Sequence, residues 1–117
     1  MKAIITLSTV LLLLVGCSHG AARVCAQLQN KTEVTECKAM PTSSHEGADV
    51  ASFKCGGICY GNVWTFDTDA HFKAGLEIPV SDLEALRVSN PKTRTLVIIA
   101  GAVPASEAET IRTVIQE

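Results

Sequence analysis

The stretch Thr95-Leu96-Val97-Ile98-Ile99-Ala100-Gly101 decides the fold reading. Its apolar side chains stand on successive positions rather than alternate ones. A strand of that kind needs cover on both faces, the usual situation in a parallel sheet. Gly101 closes the run. Ser106-Glu107-Ala108-Glu109 follows as a capping box, in which Ser106 and Glu109 can satisfy each other's backbone N–H groups. The helix it opens carries Ala108, Ile111, Val114 and Ile115 on one stripe. Upstream, Ser81-Asp82-Leu83-Glu84 is another capping box, predicting a short helix with Leu83 and Leu86 on one face, which Asn90-Pro91 stops. Further back, Ile58, Tyr60, Val63, Trp64 and Phe66 form a β-rich run, interrupted at Gly61-Asn62 and ended by Asp67-Thr68-Asp69. The order strand, helix, strand, helix predicts an α/β unit of parallel strands with right-handed crossovers. Residues 23–54 are the least regular, with a short helix expected from Ala48 to Lys54.

The chain has 117 residues, enough for one domain. An apolar fraction of 47% and a charged fraction of 19% suit a folded globule. The net charge is −2 and both signs are mixed along the chain, which disfavours nucleic acid and anionic membranes as partners. The N-terminus reads as a targeting segment. Lys2 precedes the uncharged apolar run Ile4 to Val15, and small residues follow at Gly16, Ser18, Gly20, Ala21 and Ala22. This is the plan of a secretory signal peptide over residues 1–22, with an apolar core too short to span a bilayer. The folded domain is then expected over 23–117. Two processing routes compete. Leu14-Val15-Gly16-Cys17 reads as a bacterial lipobox that would leave a lipidated Cys17 at the N-terminus, with Ser18 suiting outer-membrane sorting. Alternatively, ordinary signal peptidase cuts near Gly20 or Ala22.

Of the five cysteines, Cys25, Cys37, Cys55 and Cys59 remain once Cys17 is removed or lipidated. An even number in an exported chain argues for two disulfides, with three connectivities open. Cys55-Gly56-Gly57-Ile58-Cys59 lacks the two-residue spacing of a zinc knuckle, so neither a metal site nor a cofactor is expected. A redox or copper-carrying use of Cys55 and Cys59 with His71 or His45 is a minor alternative. Asn30-Lys31-Thr32 is a glycosylation sequon, relevant only to a eukaryotic source.

The segment Asn90-Pro91-Lys92-Thr93-Arg94 with the strand Thr95–Gly101 resembles the third-strand signature of glycoside hydrolase family 18, the chitinases and chitinase-like lectins. Cys55 before Ile58-Cys59-Tyr60 sits where that family has a Cys ahead of its second strand, and Val24-Cys25 sits at its first strand. Pro104-Ala105-Ser106 is similar to its following segment. The resemblance implies about three strands of a partial (β/α) barrel pinned by a Cys25–Cys55 disulfide. It also implies a secreted protein, with chitin or N-acetylglucosamine oligosaccharides as weakly held ligands. Ile98 and Ala100 depart from the signature, and the matching stretch ends before the family's Asp-x-x-Asp-x-Asp-x-Glu segment.

Glycoside hydrolysis needs a protonated carboxylic acid beside the leaving oxygen, and no carboxylate here maps onto that role. An inactive, truncated chitinase-like domain is therefore expected, with no catalytic residues. Asp67 and Asp69 read as a solvated turn. Tyr60 and Trp64 are the candidate sugar-binding aromatics, packing within the sheet being their competing role. Less than half of a barrel would leave sheet edges open, which predicts self-association. The reading from a different class is a small bacterial outer-membrane lipoprotein, lipidated at Cys17, with a structural or inhibitory role.

Overall fold

Three short connections decide the architecture. A computed structural model describes residues 20–41, 45–56 and 58–117. Residues 1–19, with the expected signal-peptide core and Cys17, lie outside them. The elements are α1 (Gly20–Lys31), β1 (Thr35–Ala39), β2 (Ala48–Cys55), β3 (Cys59–Phe66), α2 (Asp69–Leu76), β4 (Glu84–Asn90), β5 (Thr95–Gly101) and α3 (Ala105–Gln116). The links between β1 and β2, β2 and β3, and β4 and β5 are too short for a parallel crossover, which takes a dozen residues or more. Each pair is an antiparallel hairpin. The sheet order is β1-β2-β3-β5-β4, and β3 pairs antiparallel with β5.

The parallel, barrel-like unit expected from the sequence is thus incorrect: every neighbouring pair in the sheet is antiparallel. The strand Thr95–Gly101 is present, and its unbroken apolar run does reflect cover on both faces. That cover comes from helices lying on opposite sides of an antiparallel sheet. Val97 and Ile99 pack with residues of α1 and α3, and Leu96 packs with Phe72 of α2. Ile98, on the α2 side, is only partly buried.

Other local expectations change for identifiable reasons. Asn90-Pro91 does not stop a helix but opens the β4–β5 turn. There Asn90 Oδ1 accepts the Lys92 N–H at 2.9 Å, and Asn90 Nδ2 donates to the Ile115 carbonyl of α3 at 2.9 Å. Ser81 and Glu84 form no capping box. The Glu84 N–H donates to the Ser81 carbonyl, and the Glu84 carboxylate pairs with Arg87 at 2.7 Å on β4. In α3 the N-cap is Pro104, and Glu109 faces Arg112 at 3.6 Å instead of capping Ser106. Residues Ala48–Lys54, expected as a helix, lie in β2. Ala51, Phe53 and Cys55 alternate inward against exposed Lys54 and half-buried Ser52.

The main core lies between the sheet and the pair α1 and α3. In α1, Ala21, Cys25 and Leu28 are fully buried, the i, i+4, i+7 stripe of a helix packed on one side. They meet Ala51, Phe53, Val63, Val97 and Ile99 from the strands and Ile111 and Ile115 from α3. A smaller cluster on the other face joins Phe66, Leu96 and Phe72, with Trp64 and Ile78 packed against it. No helix among the described residues is long and apolar enough to cross a membrane.

Two disulfides join Cys25 to Cys37 and Cys55 to Cys59, with Cα separations of 5.9 and 5.3 Å. Neither is the Cys25–Cys55 bridge that the resemblance implied. Cys25 lies on α1 and is met by Cys37 of the edge strand, whereas Cys55 is directly opposite Cys59 in the β2–β3 register. The first bridge fixes α1 to the sheet edge, and the second locks a hairpin.

Gly61, read as an interruption, is instead required inside β3. It lies opposite Phe53, and a Cβ there would stand 2.7 Å from the Phe53 ring and 2.8 Å from the Ile98 carbonyl. Overpacking of that kind costs on the order of 1–3 kcal/mol. Gly61→Ala should therefore lower the urea midpoint by an amount in that range with an unchanged m-value, and an unaltered midpoint would show that the Phe53 ring is not held across the strand.

Candidate functional site: the open sheet face

Alternation along β3 puts Tyr60, Asn62, Trp64 and Phe66 on the face away from α1 and α3. Register brings Lys54, Ser52 and Val50 of β2 beside them on one side and Ala100, Ile98 and Leu96 of β5 on the other. Helix α2 covers only the Phe66 end. Phe72 meets the Phe66 ring edge-on at 6.0 Å, and Ile78 packs against the same cluster. The opposite end is open: Tyr60 is 57% exposed, and a shallow hollow of about 310 Å³ is lined by Glu36, Lys38, Ser52, Lys54, Tyr60 and Asn62. Lys54 pairs with Glu36 at 3.4 Å across the hollow.

The two aromatic residues singled out from the sequence therefore share one face. Four positions apart on a strand, they stand about 13 Å from each other. Trp64 is half-buried, its ring met edge-on by His45 at 6.0 Å. Tyr60 carries the exposed part of the surface, while Trp64 belongs in part to the small core, as its competing role implied. Asn30 lies exposed in the last turn of α1, and Thr32 of its sequon donates its hydroxyl to the Leu28 carbonyl at 2.6 Å. Cys25, Cys37, Cys55 and Cys59 are all consumed in disulfides. No group of three or more His, Cys, Asp or Glu side chains gathers as a metal centre among the described residues.

Two ionisable clusters lie elsewhere. Where β3 ends, Thr68 caps α2 by accepting the His71 N–H at 3.1 Å, and His71 Nδ1 donates to Asp67 Oδ1 at 2.6 Å. The imidazole Nε2 faces Glu46 at 3.8 Å rather than a hydroxyl or thiol, so no nucleophile–base pair is formed there. The Asp67 hydrogen bond raises His71 above its ordinary value, against a smaller opposing effect of desolvation, and the charges of Asp67 and Glu46 add to the rise. The same bond lowers Asp67. Arg94 clamps the turn from the β4–β5 side, donating to Asp69 at 2.8 Å and to the Asp67 carbonyl at 3.1 Å. The sequence reading saw Asp67 and Asp69 only as a solvated turn. The missed signal was Thr68 three residues before His71, an N-cap spacing.

At the other end of the sheet, Glu107 of α3 is buried at 8% exposure. Burial, together with the Glu33 charge, raises its pKa, against a smaller opposing effect of the nearby backbone N–H groups of Glu33 and Gly56. In sequence, Glu107 reads only as a first-turn acid inside the Ser106–Glu109 stretch. Nothing in its local spacing reveals that the chain folds two loops onto it.

Comparison of the chain with family models, with curated proteins and with solved structures gave no match in any of the three.

The His71–Asp67 pair has a pH signature. A histidine whose folded pKa is raised contributes stability that is complete below its unfolded value near 6.5 and is lost as pH rises through the folded value. An NMR titration should place His71 above the ordinary histidine value, and Asp67→Asn should bring it back. A His71 that titrates identically in both proteins would contradict the 2.6 Å bond.

Proposed function

We propose that the chain is a small lipoprotein of a bacterial outer membrane, attached through a diacylglycerol on Cys17, whose domain has a structural or inhibitory binding role rather than a catalytic one. The observation that carries this reading is the burial of Ala21. In helix α1 this residue is fully buried, and its N–H donates to Asp49 Oδ2 at 3.1 Å. Cleavage near Gly20 or Ala22 would remove the first turn of a core helix. Cleavage before Cys17 preserves all of it, and three residues of chain reach at most about 10 Å, which holds the domain close to the lipid surface. The paired cysteines fit an oxidising compartment.

A second reading keeps a carbohydrate ligand. It is supported by Tyr60 and Trp64 lying on one open face with Ser52, Asn62 and Lys54 beside them, an aromatic surface flanked by hydrogen-bonding groups. That support stands on these residues alone, because the parallel barrel implied by the chitinase resemblance is not the architecture.

The mass and N-terminus of the exported protein test the first reading. The expected result is Cys17 at the N-terminus bearing diacylglycerol, with Cys17→Ala released unmodified in soluble form. A free N-terminus between Ala21 and Arg23 would overturn it.

A further inference from the structure

The two edges of the sheet are not alike. β1 is bulged between Thr35 and Lys38, holds Glu36 at a φ of 53°, exposes Lys38 and runs into Pro41. Such features blunt an edge against further pairing. β4, once past its bulge after Glu84, is regular from Leu86 to Asn90. Its outward-facing groups follow from the ladder. The Phe66 N–H donates to the Arg94 carbonyl at 3.0 Å, so in β5 Leu96, Ile98 and Ala100 bond towards β3. Thr95, Val97 and Ile99 bond towards β4, where Asn90, Val88 and Leu86 face them. The backbone N–H and C=O groups of Arg87 and Ser89 therefore point away from the sheet, and no strand among the described residues pairs with them. Beside this edge, the segment leading into β4 exposes large apolar side chains, Val80 at 72% and Leu83 at 64%.

We infer that β4 pairs with β4 of a second copy of this chain, antiparallel about a two-fold axis at Val88, to make one continuous sheet from both copies. The edge itself selects that partner and that register. Hydrogen-bonded pairs must join outward-facing residues, so Arg87 of one copy meets either Arg87 or Ser89 of the other. Two arginines directly opposite repel each other. Sliding the strands to set Ser89 against Ser89 would put Arg87 opposite Pro91, which has no N–H to give. Arg87 opposite the partner's Ser89 has neither defect. Each such pair exchanges both N–H···O bonds, and the two-fold axis makes the pair twice. The same operation brings the exposed Leu83 end of each β4 alongside the β4–β5 turn of the other copy, which covers apolar surface there. Because the axis stands across the plane of the sheet, α1 and α3 of both copies lie on one side. Both open faces then run together on the other. A contact of one strand pair and its flanking turns is a small interface, which makes the association reversible and concentration-dependent.

Sedimentation equilibrium of the exported chain carrying Cys17→Ala tests the dimer. That substitution removes the lipid attachment point and the fifth thiol together, so the result does not depend on the lipoprotein reading. The mean mass should climb from one chain towards two between about 10 μM and about 1 mM. Ser89→Pro should keep the fold, because the N–H it removes faces outward, and should leave a monomer throughout. Ser89→Lys, which sets a second cation opposite Arg87, should weaken association several-fold, and Ser89→Glu should strengthen it several-fold. Should Ser89→Pro fail to fold, this pair of charge variants decides. A single-chain mass persisting at about 1 mM would overturn the inference. So would a dimer that survives Ser89→Pro, or one unmoved by both charge variants, which would place the contact on β1 or on the open face.

Discussion

Burial of one face of helix α1 is the constraint on which the rest of the structure depends. Ala21, Cys25 and Leu28 have no exposed surface, and together they close the main core over β2 and β3. Side chains of that size contribute on the order of 1–3 kcal/mol each when removed from water. The Cys25–Cys37 bridge holds the helix against the edge strand, and the Ala21 N–H holds its first turn to Asp49. A domain this small buries a modest fraction of its surface, so losing a core helix is not a local event.

With α1 and α3 committed to one face, the opposite face is covered among the described residues by the short helix α2. Helix α2 covers Phe66, Leu96 and part of Trp64, and it cannot reach Tyr60 at the far end of β3. The open surface is thus a consequence of unequal cover. The same asymmetry separates the ends of the molecule. Gly20 lies beside Thr65, near the clamp of Asp67, His71 and Arg94, whereas the Cys55–Cys59 hairpin, Tyr60 and Glu107 lie at the other end of the strands.

Much of the fold was legible locally and little of it globally. The strand at Thr95–Gly101, the β-rich run before Asp67 and the apolar stripe of the last helix were all readable, because each is set by side chains close in sequence. Strand direction was not, since an unbroken apolar run reports cover on both faces and not what kind of sheet lies between. Short hairpin links at Asn90–Thr95 and Cys55–Cys59 carried that information, but Asn90-Pro91 also suits a helix stop. Capping boxes at Ser81 and Ser106 matched in spacing and failed in structure, as Glu84 and Glu109 found arginine partners instead. At the candidate site, Tyr60 and Trp64 were identifiable as residue types. Their shared face follows from β3 being continuous through Gly61, where the Phe53 ring and the Ile98 carbonyl leave no room for a side chain. The burial of Glu107 was not legible because its neighbours, Glu33 and Gly56, are remote in sequence.

The central claim, that the core needs Ala21 and its turn of α1, is tested most directly by comparing two chains that differ only in their start. One begins at Ser18 and the other at Arg23, and both are refolded with disulfides formed and unfolded in urea. The shorter chain loses Ala21, its burial and its bond to Asp49, and should be less stable by roughly 2 kcal/mol or more. Equal midpoints for the two chains would contradict the account.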